Sequence, residues 1–182
     1  MAGLDLATDG EVELLGSNLN QKTEDERALV RAEQVGFIFQ NFQLMPSMTA
    51  LENILMPLEL FQIDNAQQKA LAALEQVGLK NRAHHRPAEL SGGEQQRVAI
   101  ARAFVTEPKV LFADEPTGNL DEETAHQIQG LLFELNRTLK TTLVLVTHDL
   151  EFAKKCGRVV ELSHSELTPY QPDHSITAKD SL

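Results

Sequence analysis

Apolar and polar positions repeat along this chain with two different periods, which predict both strands and helices. Mainly apolar runs of strand length lie at 35–39, 109–113 and 141–146, as is typical of buried strands. Apolar residues recur instead at helical spacing within 49–80 and 122–139, as they do on the inward face of a helix. This alternation of strands and helices predicts an α/β fold.

Helix starts are marked by Ser/Thr-x-x-Glu sequences, in which the two side chains cap each other's backbone N–H groups. These sequences begin at Thr23, Thr49 and Ser91. Pro57 is expected to kink or split the helix that follows Thr49, because proline lacks an N–H group and clashes with the preceding turn. Gly78 is expected to end the next amphipathic helix.

The two ends of the chain show weaker patterns. Residues 11–16 alternate as a short strand, and a short helix at 151–155 precedes a last strand at 158–162. Periodicity is lost afterwards, and polar residues with scattered prolines are typical of unstructured termini. We therefore expect a folded domain over 1–163 and a disordered tail over 164–182.

Composition and charge narrow the class of protein. The chain has 182 residues, of which 42% are hydrophobic and 24% charged, which suits one domain with a sizeable core. The net charge of −11 argues against a nucleic-acid-binding surface, because neutralising phosphates needs clustered lysine and arginine. Nucleic acid is therefore not expected as a partner.

Cys156 is the only cysteine, so an intrachain disulfide is impossible and a reducing, cytosolic compartment fits. No apolar run has the length of a membrane span, and the first residues show neither the basic region nor the apolar core of a signal peptide. Any association with a membrane is therefore expected to occur through a partner.

Residues 90–97, with the sequence LSGGEQQR, carry the most specific chemical pattern. Ser91 and Glu94 stand at capping-box spacing, and Gly92 and Gly93 leave the first backbone N–H groups of the helix unobstructed. Those groups and the positive end of the helix dipole favour a bound phosphate. Serine followed by two glycines is also a common junction between a loop and a helix.

Polar side chains follow each of the long apolar runs: Gln40, Asp114 with Glu115, and His148. Ligands of α/β sheets usually bind at the carboxyl ends of strands, so these side chains are candidates for a site. Asp114 can hold Mg²⁺ directly or through water, and Glu115 can polarise an attacking water. Taken singly, each is equally a residue that ends a strand or caps the next helix.

Taken together, these motifs resemble those of ABC ATPases, over about residues 3–162. Residues 90–97 resemble the signature motif, 39–46 the Q-loop, 110–115 Walker B with its catalytic glutamate, 116–121 the D-loop and His148 the H-loop histidine. Within the family, 49–58 and 118–121 look like the branch of lipoprotein-releasing and macrolide-exporter ATPases.

The resemblance implies a P-loop NTPase core with a helical subdomain at about 49–105, and hydrolysis of ATP with Mg²⁺. It implies that Glu115 activates the attacking water and that His148 holds this water and the γ-phosphate, while Gln40 and Asp114 organise Mg²⁺. The nucleotide-binding residues that it implies are Gln40, Ser91, Gly92, Gly93, Gln95, Asp114 and Asp121. Asp121 is equally placed to be the N-cap of the helix at 122–139.

The resemblance also implies partners and a location. ABC ATPases dock on a transmembrane permease, and exposed apolar residues within 42–48 would form the contact surface. They act as head-to-tail dimers, so a homodimer or a mixed dimer with another ABC ATPase is expected. The chain would then be cytoplasmic and peripheral on the inner membrane, serving export or the extraction of lipoproteins or lipids.

One departure from the family pattern matters more than these matches. No glycine in the sequence is followed by lysine, so the phosphate-binding sequence G-x-x-x-x-G-K-[ST], or Walker A, is missing. The chain resembles an ABC ATPase that begins just after this P-loop and therefore lacks the N-terminal strands. We expect the residues present to have lost most of their ATP affinity and to be inactive alone, with a sheet edge and apolar surface exposed.

Alternative functions follow from that departure. The chain could donate Ser91, Gly92, Gly93 and Asp121 to the site of an intact ATPase in a mixed dimer. It could instead be a non-catalytic truncated remnant or a regulatory partner. A DNA-repair ABC ATPase is disfavoured by the acidic charge and by the short segment at 49–86, where such proteins carry a long coiled coil.

Overall fold

The structure, a computed structural model, describes residues 3–5 and 7–170, in which strands alternate with helices. In chain order the elements are β1 (Glu13–Leu14), β2 (Ser17–Asn18), α1 (Glu24–Gln34), β3 (Val35–Ile38), α2 (Ala50–Leu60), α3 (Ala66–Gln76), α4 (Gly92–Phe104), β4 (Val110–Asp114), α5 (Glu122–Leu139), β5 (Thr142–Val146), α6 (Leu150–Ala153), β6 (Val160–Ser163) and β7 (Glu166–Pro169). They form two units, one ending at Val146 and the other beginning at Thr147.

The first unit is built on a sheet of three parallel strands in the order β3-β4-β5. In this register Ile38 lies opposite Ala113, and Asp114 lies opposite Val146. Because the strands are parallel, their carboxyl ends meet at one edge of the sheet. The predicted α/β class is confirmed, and the register decides which side chains share that edge.

Close packing of β3 against α4 fixes this sheet in place. Gly36 is buried, and a Cβ atom there would lie 2.7 Å from the backbone oxygen of Ala103 and 2.7 Å from Cδ1 of Leu111. A glycine is therefore required where α4 crosses the strand. On either side of it, Val35 and Ile38 are buried in the core.

The helix starts agree with the sequence. Thr23, Thr49 and Ser91 each form a complete capping box at the start of α1, α2 and α4. Of the two effects expected of Pro57, a kink or a split, the split does not occur: α2 continues to Leu60, because the missing N–H group removes only one bond near the end of the helix. Gly78, with φ +71°, follows α3 as expected.

Helices α2, α3 and α4 pack on one another through buried apolar faces, and α5 packs on α4. The fully buried side chains of these helices include Ile54, Leu58, Leu74, Val98, Ile100, Ile128 and Leu132. Burying each of these side chains contributes about 1.5–3 kcal/mol. This packing holds the start of α4 at a fixed place relative to the sheet.

β5 is less buried than the sequence predicted. Its three central residues are only half-buried, and Val146 is 52% exposed. The reason lies in the sheet order: within the described residues, β5 pairs with β4 alone and is an edge strand. This agrees with the expectation of an exposed apolar sheet edge.

In the second unit, Phe152 of the short helix α6 is buried, and β6 pairs with β7 in an antiparallel hairpin. His164 and Ser165 have φ values of 50° and 67°, which suits the two-residue turn of a hairpin. Regular structure thus continues past residue 163, where we expected the folded domain to end. The rest of the predicted tail, 171–182, lies outside the described residues.

Among the residues that the structure describes, no helix combines the length and the apolar character needed to cross a membrane.

The contact at Gly36 predicts a strong effect of a single methyl group. Gly36→Ala should lower the free energy of unfolding by about 1–3 kcal/mol, because neither the Ala103 backbone nor Leu111 has room for it. Gly130→Ala is the matched control: a Cβ at this position in α5 meets nothing within 4 Å and should stabilise the helix by about 0.5–1 kcal/mol. Urea unfolding measures both, and equal effects would contradict the packing described here.

Candidate functional site

The site candidates Gln40, Asp114 and Glu115 lie at one edge of the sheet. Gln40 follows β3, while Asp114 is the last residue of β4 and Glu115 follows it. Because Ile38 pairs with Ala113, the segments that follow β3 and β4 leave the sheet at neighbouring positions. Gln40 and Asp114 are exposed and Glu115 is half-buried, so all three side chains adjoin solvent.

Glu115 has an unusual backbone conformation. Its φ is 43°, in the left-handed region that costs an ordinary residue about 1–2 kcal/mol. Its N–H group nonetheless donates to the Val146 carbonyl at 2.9 Å, and its own carbonyl accepts from the Gly118 N–H at 3.0 Å. These bonds hold the residue where strand pairing ends and the turn begins, and strain of this kind clusters at functional sites.

Ser91 and Glu94 build the start of α4 as predicted. The Ser91 hydroxyl accepts from the Glu94 N–H at 3.2 Å, and the Glu94 carboxylate accepts from the Ser91 N–H at 2.9 Å. The Ser91 N–H bond lowers the pKa of Glu94, and the Arg82 guanidinium, 3.0 Å from the carboxylate, lowers it further. The Gly92 and Gly93 N–H groups lie in the first turn, where a helix offers them no acceptor.

The two glycines of this turn have different packing environments. A Cβ on Gly93 would lie 2.5 Å from Cγ2 of Thr124, so the close approach of α5 requires this glycine. A Cβ on Gly92 would lie 3.4 Å from Leu120 and 3.9 Å from Phe42, which are ordinary contacts. The start of α4 therefore touches both the turn after β4 and the loop after β3.

Gln95 and Gln96 have distinct structural roles. The Gln95 side chain donates to the Leu90 carbonyl at 3.1 Å. Gln96, which the sequence analysis missed, is fully buried and donates to the Pro116 carbonyl at 2.6 Å. Its Oε1 atom has no hydrogen-bond partner among the described residues. Its spacing of three from Gly93 was the available signal, because it places both residues on one face of the helix.

Arg102 of α4 holds the loop after β3. Its guanidinium donates to the Gln43 carbonyl at 2.7 Å and to the Phe42 carbonyl at 3.0 Å. Phe42 and Gln43 both have left-handed backbones, with φ values of 57° and 46°. Burial lowers the pKa of Arg102. The two charge-assisted bonds compensate for a loop conformation that is unfavourable by itself.

Asn53 fixes the following part of this loop. Its buried side chain accepts from the Met45 N–H at 2.7 Å, and donates to the carbonyls of Met45, Met48 and Thr49. The loop therefore presents Met45, which is 45% exposed, from a fixed backbone.

Asp121 is the N-cap of α5, since its carboxylate accepts from the Thr124 N–H at 2.9 Å. That bond lowers the pKa of Asp121. The side chain is exposed at the end of the turn 116–121. Capping is thus one of the two functions expected of this carboxylate.

His148 lies in the second unit, two residues beyond the end of β5. It stands between Thr147, whose hydroxyl accepts from the Asp149 N–H at 3.1 Å, and Asp149, whose carboxylate caps α6. The imidazole is exposed.

Comparison with known proteins identifies the class. The ABC transporter family matches residues 1–118. The ABC transporter ATP-binding protein YbbA of Escherichia coli K12 is 53% identical over 169 residues, which are 92% of this chain and 74% of that protein. The lipoprotein-releasing system ATP-binding protein LolD of Coxiella burnetii is 48% identical over 170 residues, covering 92% of this chain and 73% of LolD. The chain belongs to the ABC transporter family.

Solved structures agree with this assignment. A dimer of the ATP-binding cassette MJ0796 in a post-hydrolysis state, bound to ADP and Pi, has a TM-score of 0.81 at 39% identity. The likeness covers 91% of this chain and 74% of that one. A second dimeric structure of MJ0796 gives 0.77 at 40% identity, covering 87% and 71%. The fold is that of an ABC ATPase cassette, a P-loop NTPase, as the sequence predicted.

The left-handed backbone at Glu115 predicts an unusual order of stabilities. The free energy of unfolding of Glu115→Gly should be about 1 kcal/mol higher than that of Glu115→Ala, because glycine adopts this φ without a steric penalty. The glycine variant should therefore be the more stable of the two. Elsewhere in regular structure alanine is the more stable of the two residues. Urea unfolding of both variants checks this, and a more stable alanine variant would contradict the strained conformation.

The bonds from Arg102 predict local rather than global loosening. Arg102→Met keeps the length of the side chain but loses both donors, so amide hydrogen exchange within 41–45 should accelerate about tenfold. Arg97→Met is the control, because Arg97 is on the same helix and donates to neither carbonyl. Unchanged exchange in Arg102→Met would show that the loop keeps its conformation without the two hydrogen bonds from Arg102.

Proposed function

We propose that this chain acts as the ATP-binding subunit of an ABC transporter, in which hydrolysis of ATP powers a permease. The proposal rests on the observation that β3, β4 and the start of α4 bring their candidate site residues to the same region of the structure. The carboxyl edge of the sheet presents Gln40, Asp114 and Glu115, and the start of α4 adjoins the loop and the turn that extend from this edge.

In this proposal Glu115 orients and polarises the attacking water, as a carboxylate at a strand end can do. The N–H groups of Gly92 and Gly93, together with the hydroxyl group of Ser91, donate to phosphate oxygens across a dimer interface. Gln95 and Asp121 support the same surface through the Leu90 carbonyl and the Thr124 N–H. His148, by its resemblance to the H-loop histidine, holds the water and the γ-phosphate.

The residues at the sheet edge fit Mg²⁺. The described residues contain no group of three or more histidine, cysteine or acidic side chains able to hold a metal. Mg²⁺ does not need such a group, because it binds through one or two protein oxygens together with phosphates and waters. Asp114 and the amide oxygen of Gln40 supply oxygen donors of that kind. The ion would neutralise charge on the phosphates.

We further propose an inner-membrane permease as partner, with the chain docked on its cytoplasmic face. The fixed loop with exposed Met45 offers an apolar contact, and similarity to LolD, a protein of the lipoprotein-releasing system, favours export or lipoprotein and lipid extraction. The MJ0796 structures are dimers, which favours a homodimer or a mixed dimer here.

The sequence contains no G-x-x-x-x-G-K-[ST] stretch. We propose that the phosphate-binding loop comes from another stretch of polypeptide and that these 182 residues alone do not hydrolyse ATP. The same observation favours a second candidate, a non-catalytic remnant or regulatory partner of an intact ABC ATPase.

A complementation assay separates the two candidates. The chain is mixed with an intact relative, such as E. coli YbbA, whose own signature serine has been replaced by arginine. Added chain should restore ATP turnover, and Ser91→Arg should abolish the effect by blocking the start of α4. Ser163→Arg, an exposed position in β6, is the matched control and should restore turnover like the unmodified chain.

Binding of Mg-ATP to the chain alone, with a circular-dichroism melt on the same sample, completes the test. We expect folded protein without detectable binding at millimolar nucleotide. Tight binding would contradict the proposed need for a second phosphate-binding stretch. Folded chain that never restores turnover would contradict the catalytic proposal and support a non-catalytic remnant.

A further inference from the structure

We propose that Asn119 is a positioning residue that fixes the orientation of the Gln40 amide, so that its oxygen is the end left available to a cation or a water. The inference deepens the proposed function, on which the use of that oxygen rests. It depends on a set of hydrogen bonds between the loop after β3 and the turn after β4, whose members are 79 residues apart in sequence.

The first step is the orientation of Asn119 itself. Its side chain lies 3.1 Å from the backbone carbonyl oxygen of Gln40. A carbonyl oxygen only accepts, so the atom of Asn119 that faces it must be the nitrogen. The same nitrogen donates to Oδ1 of Asn41 at 3.0 Å. The main-chain acceptor thus settles which way the Asn119 amide points.

The second step carries this orientation to Gln40. Once the nitrogen of Asn119 faces the backbone, its oxygen faces the Gln40 side chain, at 3.3 Å. That oxygen also only accepts, so Gln40 must present Nε2, because a flipped amide would bring two oxygens together. Oε1 of Gln40 is consequently directed away from Asn119. Within the described residues no hydrogen bond reaches this oxygen.

Gly118 provides the space for this arrangement. A Cβ atom on Gly118 would lie 2.8 Å from Nε2 of Gln40 and 3.3 Å from Cδ. The glutamine side chain therefore lies directly against the Gly118 backbone. Substitution of this glycine displaces the Gln40 amide without altering any hydrogen-bonding group of Asn119.

An oriented amide oxygen matters because only one end of a glutamine amide can ligate a metal. Mg²⁺ binds oxygen donors, and the amide nitrogen has no lone pair to offer. Groups that orient a metal ligand typically change metal affinity 10–100-fold when they are removed. Asn119 has this relation to Gln40, although it does not itself face the proposed metal position.

The orientation can be tested on the 182-residue chain without nucleotide, by NMR of the Gln40 side-chain amide. We expect its N–H signals to exchange with solvent several-fold more slowly than those of the exposed Gln43. Asn119→Leu, which keeps the shape but can neither donate to the Gln40 carbonyl nor accept from Nε2, should remove this difference. Asn81→Leu, at an exposed position outside the network, is the matched control and should leave it intact.

Gly118→Ala is a second variant, for the case in which Asn119→Leu fails to fold in a circular-dichroism melt. It should likewise release the Gln40 amide, by steric contact alone. Gln40 signals that remain unchanged in every folded variant of Asn119 or Gly118 would overturn the inference.

Titration with Mn²⁺, as a paramagnetic substitute for Mg²⁺, links the orientation to the site. We expect line broadening near Gln40 and Asp114, with an apparent Kd raised about tenfold or more in Asn119→Leu. If Gln40→Ala leaves the Kd unchanged, the proposed metal role of Gln40 fails, while the orientation is still decided by the exchange data. If Gln40→Ala raises the Kd and a folded Asn119→Leu does not, the positioning role fails and the metal role stands.

Discussion

The parallel pairing of β3 with β4 is the constraint on which the candidate site depends. It places the residues after both strands at one edge, and it is possible only because Gly36 lets α4 approach the sheet so closely. The same helix carries the signature residues at its start. One buried glycine therefore helps to determine how far the start of α4 lies from the acidic end of β4.

The site is held together by side chains that bind backbone carbonyls. Gln96 binds the Pro116 carbonyl, Arg102 binds those of Phe42 and Gln43, and Asn119 binds that of Gln40. Backbone acceptors do not change with substitution of their own residues. An arrangement of this kind fixes the loops while leaving the exposed side chains of the loop residues available for chemistry.

What the sequence could predict was mainly local. Capping boxes, strand ends and the amphipathic face of α5 depend on residues a few positions apart, and the motif at 90–97 is specific enough to indicate the family. The half-exposed state of β5 could not be read from its apolar residues, because burial depends on which strand lies beside it. The packing role of Gly93 and the contacts of Asn119 and Arg102 join distant segments, so no local pattern marks them.

The exposed side of β5 has a consequence for the behaviour of the chain in solution. In the part of the chain that the structure describes, no strand pairs with this side, so its backbone N–H and C=O groups face outward beside half-exposed leucine and valine, and β5 has no proline or lysine to block another strand. Edges of this kind are templates for strands of other molecules. The apparent stability of the chain should therefore depend on its own concentration, with sheet growth between copies competing with refolding after heating.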